Sequence, residues 1–188
     1  MLKYVEEAAK YVEITGFRKA TIGNKELLLR AVHAKIEDRV RIQFFNADLI
    51  SSWEHLYFAS LNSLVAFKNC QNISKRLEME TLLYASAQRQ IRKAIEFIGI
   101  RSDSANVALI VISPDAKSIR EAVSSVSGLI QAHPDDTVLE LTPEKMSLIK
   151  SAFLITETEI KSVIEDNNLD QALTDLVIER MALLPTQI

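Results

Sequence analysis

The chain has little of what punctuates tight turns or builds covalent chemistry. Glycine and proline number four each among 188 residues, about 4% together against roughly 12% in average usage. That scarcity excludes collagen-like and proline-rich chains and argues against a sandwich of many tight turns. The single cysteine, Cys70, forms no disulfide within the chain and no multi-cysteine metal site. Near a helix end, it reads as a small buried thiol. No apolar run is long enough to span a membrane. Lys3, Glu6 and Glu7 stand where a secretory signal would need a basic stretch and an apolar run. The expectation is a soluble protein of a reducing compartment, the cytoplasm. Gly16, Gly23, Gly99 and Gly128 are isolated, so there is no phosphate-cradling loop. The G-x-S-x-G, H-E-x-x-H and C-x-x-C motifs are absent. His33, His55 and His133 lie far apart, each reading as a surface or hydrogen-bonded side chain. No catalytic residue, metal ligand or cofactor is expected.

What is present is apolar content and periodicity. Hydrophobic residues make up 48% of the chain, enough for a sizeable core. Lys10–Phe17 alternates and is rich in β-branched and aromatic residues, as a strand does. Arg39–Phe45 puts Val40, Ile42 and Phe44 on one face of a second strand. Val107–Ile112 is continuously apolar and reads as a strand buried on both faces. Thr137–Leu141 has the pattern of a short edge strand. Helices are expected after Asn24, after Ser51 or Ser52, after Ser74 and through Ile91–Ile98, with Gly99 as a C′ glycine. Others follow Asp115 and Thr142-Pro143, then span about 156–165 and 169–183. The fold class is α+β: one helix-rich domain over 1–188, with a small mixed or antiparallel sheet of three to four strands under seven to eight helices.

The net charge of −3 hides an asymmetry. Residues 68–93 carry six basic and two acidic side chains, whereas residues 151–188 carry two basic and seven acidic ones. Two surfaces of opposite sign fit different partners. In the basic segment Arg89 and Arg92 are three apart and share a helix face, with Lys93 extending the edge and Tyr84 near the bend before it. Guanidinium groups suit phosphates, and an aromatic ring stacks an unpaired base. The residues equally allow Tyr84 and Ile91 to be core, with Arg89 paired to Glu80 or a helix terminus. In the acidic segment Leu173, Val177 and Met181 belong to a helix apolar on more than one face. Such a helix is buried on both sides, by its own core and a partner, or wholly wrapped by its own domain.

Trp53–Ala59, Asn72–Ser74, Met79–Ile91, Phe97–Ile100, Glu159 and Leu176–Leu184 together resemble the kinase-binding regulatory subunit of the KEOPS tRNA-modification complex, the family of the human PRPK-binding protein. The resemblance spans roughly residues 10–184. Its most specific block is Glu80-x-Leu-Leu-Tyr84, then Arg89-Gln90-Ile91, Ala94 and Gly99. Many members carry a glycine before the Arg-Gln-Ile triplet, where this chain reads Ala85-Ser-Ala-Gln88. The resemblance implies a non-catalytic subunit that binds the complex's small atypical kinase and, through it, serves the threonylcarbamoyltransferase subunit. It implies support of threonylcarbamoyl adenosine (t6A) formation in tRNA and, as in archaeal members, contact with the tRNA 3′ end. With the basic segment it points to Arg76, Tyr84, Arg89, Gln90, Arg92 and Lys93 for tRNA, and to Leu173, Val177 and Met181 for the kinase. An unrelated small-molecule-binding domain, with its ligand at a sheet–helix boundary, is the alternative.

Overall fold

The computed structural model describes residues 1–166 and 168–186. Four strands, β1 (Leu2–Val5), β2 (Lys10–Phe17), β3 (Arg41–Asn46) and β4 (Val107–Ser113), form one sheet in the order β1-β2-β4-β3, antiparallel throughout. Eight α-helices accompany them among the described residues: α1 (Lys25–Lys35), α2 (Trp53–Lys68), α3 (Leu77–Ser86), α4 (Ile91–Ile98), α5 (Ala116–Ile130), α6 (Pro143–Ala152), α7 (Glu157–Val163) and α8 (Leu169–Ala182). The α+β class is as the sequence pattern indicates.

The period-two alternation of β4 divides the interior. Val107, Leu109 and Val111 face one core with Leu28, Val32, Ile119 and Val126 of α1 and α5. Ala108, Ile110 and Ile112 face the other with Leu56, Leu83, Leu173 and Val177 of α2, α3 and α8. All seven residues of β4 are buried, which explains its uninterrupted apolar run. Val40, Ile42 and Phe44 share the α1/α5 face, as their alternation requires.

Several local expectations are corrected. β1 went unread because three of its four residues are exposed and only Val5 is buried. Thr137–Leu141 is no edge strand: Asp136–Leu139 is a 3-10 turn. The reason is polar capture. Asp135 accepts from the Thr137 N–H at 3.1 Å, and Asp136 accepts from Thr15 Oγ1 at 2.7 Å and the Gly16 N–H at 3.0 Å. The turn lies on β2 at Gly16, where a Cβ would come within 2.2 Å of Val138 Cγ2. The buried Lys145 amine donates to the carbonyls of Val138 at 2.8 Å and Glu140 at 3.0 Å, joining the turn to α6. Gly99 is not a left-handed cap: its φ is −70°, and glycine is required because a Cβ would meet the Ile95 carbonyl at 2.5 Å. Cys70 is exposed, in a left-handed turn with φ 55°.

Ser74 does not cap α3, which has Arg76 at its N-cap and no side-chain cap. Instead Glu80, fully buried, accepts from the Ile73 N–H at 3.1 Å and the Ser74 N–H at 2.6 Å. It thereby fixes the α2–α3 loop. A second buried link runs through His55, whose Nε2 donates to the Ala85 carbonyl at 2.8 Å while Nδ1 accepts from the Ser51 N–H at 3.3 Å. Glu159 completes a capping box with Thr156 and pairs with Arg180, so this residue of the family resemblance ties α7 to α8.

Glu80→Ala orphans the buried Ser74 N–H and the part-buried Ile73 N–H, at up to about 1–3 kcal/mol each. Urea unfolding should show a loss of about 2–5 kcal/mol, and an unchanged midpoint would remove the clamp from this description. Burial lowers the His55 pKa to about 4. The unfolded chain therefore takes up a proton, between about pH 6.5 and 4, that the folded chain refuses. Stability from neutral His55 is complete above that window and falls as the pH drops through it, by up to about 3 kcal/mol. The urea midpoint should be lower at pH 5 than at pH 7, with the His55 ring still neutral by NMR at pH 5. A ring already protonated at pH 5 contradicts the assignment.

Candidate functional site

The basic segment is built on a sharp reversal between two short helices. α3 ends at Ala87, whose φ of 50° lies in the left-handed region. The Gln88 N–H reaches back to the Leu83 carbonyl at 3.1 Å to close the turn. An alanine there costs about 1–2 kcal/mol relative to a right-handed conformation. Glycine at this position would avoid that cost. The reversal leaves Arg89, Gln90, Ile91, Arg92 and Lys93 exposed along one edge. Arg89 Nη1 donates to the Leu184 carbonyl at 3.4 Å, tying the turn to the chain beyond α8. Arg92 pairs with Glu96 one turn later at 2.9 Å.

Two expected members of this set stand elsewhere. Tyr84 is 6% exposed and packs in the α2/α3/α8 core, so its ring offers no face to a base. The exposed apolar side chains among the cations are Ile91 and Ile95, four apart on α4. Arg76 lies at the opposite end of α3, about 15 Å from the reversal by helix rise. There α4 returns beside the first turn of α3 and a pocket of about 230 Å³ opens between α1, β3, α3 and α4.

That pocket has an apolar floor and a charged rim. Leu29, Phe44, Met79 and Ile95 line it, with Lys25, His33 and Arg76 around them. In its wall sits Glu78, 5% exposed. One carboxylate oxygen pairs with Arg76. The other, Oε2, has no hydrogen-bond partner among the described residues, and Arg41 Nε stands 3.9 Å from it. Glu78 thus sits between two guanidinium groups, with one oxygen short of a hydrogen bond at the pocket wall. No local sequence signal marks Lys25 and His33, because 41 residues separate α1 from α3 and only the fold joins them.

Leu173, Val177 and Met181 do not form an outward stripe. Each has 0% exposure within the α2/α3/α8 core, so they hold α8 to its own sheet rather than meeting a partner in this structure. The outward apolar stripe is on α2: Phe58 and Val65 are 37% and 40% exposed, with half-buried Leu61 between them at helical spacing. The signal for it was legible, since α2 has Glu54 and Lys68 as its sole acidic and basic residues besides His55 and is apolar all round. Among the described residues no cluster of three metal-ligating side chains occurs, and no helix is long and apolar enough to cross a membrane.

A family model described as kinase binding protein CGI-121 matches residues 20–185. The regulatory protein Cgi121 of Methanocaldococcus jannaschii is 33% identical over 142 residues, covering 76% of this chain and 83% of the relative.

Proposed function

The chain belongs to the CGI-121 family of kinase-binding proteins, and from that premise we propose that it is a non-catalytic regulatory subunit of the KEOPS complex. In this reading it acts in the cytoplasm, docks on the small atypical kinase, and holds the tRNA 3′ end during t6A formation by the transferase subunit. The observation that carries the RNA contact is the Glu78 oxygen that accepts no hydrogen bond among the described residues, 3.9 Å from Arg41 Nε, in an apolar pocket rimmed by Lys25, His33 and Arg76. The cytosine and adenine bases of a CCA end each carry an exocyclic amine, and a carboxylate accepts from such an amine. Unpaired bases are read in apolar, stacking environments, with phosphates on nearby cations. Arg89, Gln90, Arg92 and Lys93 then follow the acceptor stem rather than the terminal base. Because the pocket lies where β3 meets α1 and α3, a free nucleotide is the second reading.

Filter binding at low salt separates the two. Removal of the CCA end should weaken tRNA binding about tenfold or more, a loss of about 1.4 kcal/mol. Lys25→Glu with Lys93→Glu should weaken intact tRNA similarly and flatten the salt dependence, without changing the melting temperature. Equal affinity for intact and truncated tRNA, with saturable binding of adenosine monophosphate, favours the free nucleotide.

The exposed stripe of α2 is the kinase-facing surface in this proposal. Phe58→Glu or Val65→Glu should abolish co-elution with the kinase on gel filtration and leave the melting temperature within a few degrees. Val177→Glu instead buries an unpaired charge and should unfold the chain. Co-elution of the folded Phe58→Glu and Val65→Glu variants moves the kinase contact to another face.

A further inference from the structure

Two surfaces of this chain are complementary and lie apart on the molecule, one on α2 and one between α1, β3, α3 and α4. The first is a knob. Phe58 stands out of α2 at 37% exposure, with the Tyr57 ring packed edge-on against it at 5.7 Å between centroids. That contact orders the ring before any partner arrives, which lowers the cost of docking it. Its surroundings are acidic. Glu54 lies one turn earlier on α2, and the exposed Glu6 and Glu7 sit on the 3-10 turn Glu6–Ala8, which packs against the same helix.

The second surface is the recess of about 230 Å³. Its floor is apolar, with Phe44 offering a ring that another aromatic can meet at an angle. Its rim carries the cations Lys25 and Arg76. The apolar surface continues outside the recess to the exposed Ile91, one turn before Ile95, beside the exposed Arg92 and Lys93. Knob and recess are thus both apolar at the centre and opposite in charge around it. α2 contributes no residue to the recess, so a contact between them runs from one copy to the next. We propose that in the free chain Phe58 of one copy seats in the recess of another, with Leu61 and Val65 against Ile91 and Glu54 toward Lys25. The contact joins two different patches, so each copy keeps one unused knob and one unused recess. Association then continues past a dimer or closes into a ring. A helix pair of this size makes a weak, reversible interface. Its consequence, which rests on the proposed function, is that the isolated chain hides its own RNA recess until kinase takes the α2 stripe.

Sedimentation of the full chain alone, without RNA or kinase, tests the contact independently of that function. The weight-average mass should rise above that of one chain with concentration at low salt, and fall back as salt screens the charges. Phe58→Glu removes the knob and Ile95→Glu charges the recess floor; each should weaken association about tenfold or more. Mixed in equal amounts, the two variants should recover a species of twice the chain mass and nothing larger, since each supplies the face the other lacks. Lys25→Glu, at the rim, takes the place of Ile95→Glu if that variant melts early. A mass that stays at one chain at every concentration overturns the proposal. So does a wild-type chain that associates while the mixed variants stay monomeric, or a dimer that each variant still forms alone.

Discussion

The two hydrogen bonds that the Glu80 carboxylate accepts from the Ile73 and Ser74 N–H groups hold the rest of the site in place. A buried carboxylate meets two backbone donors, Ser74 in the core and Ile73 at its part-buried margin. Without it, nothing on α3 anchors the seven-residue path from the end of α2 to Arg76. With it, α3 starts at a fixed point and Arg76 and Glu78 enter the pocket wall. The His55 ring repeats the device at the other end of α3, joining the Ala85 carbonyl to the entry of α2. Both links are neutral or charge-assisted hydrogen bonds in a dry interior, where they specify geometry more sharply than apolar contact does.

The sheet supplies the frame to which this pair of helices is fixed. Because β4 runs antiparallel between β2 and β3 and alternates its side chains, α1 and α5 cover one face while α2, α3 and α8 cover the other. The pocket of Glu78 opens where the two layers meet at the β3 edge. A chain without catalytic motifs can therefore present a base-sized recess with cations around it. The apolar stripe on α2 belongs to the same layer as α3 but contributes no residue to that recess.

Sequence patterning carried the regular elements well and the surfaces poorly. The apolar run of β4, the Asn24, Ser52, Asp115 and Thr142 caps and the alternation of Val40, Ile42 and Phe44 are local signals, and local physics decides them. Thr137–Leu141 alternates like a strand, but Asp135 and Asp136 capture backbone donors that a strand would have paired. α8 is apolar on several faces because α2, α3, α6 and α7 surround it. Periodicity cannot distinguish neighbours in the same chain from a partner. The basic residues were correctly placed on the surface, but Tyr84 went inward and Ile91 and Ile95 outward. The family resemblance marked Glu80 and Glu159, which the structure shows to be internal ties.

In the proposed function RNA and kinase take separate surfaces, one at the α1–α3–α4 pocket and one along α2. Measuring tRNA affinity with the chain alone and again under saturating kinase tests this most directly. A ternary complex with undiminished tRNA affinity is the predicted result. Mutually exclusive binding, with kinase displacing tRNA in proportion to its concentration, would contradict it.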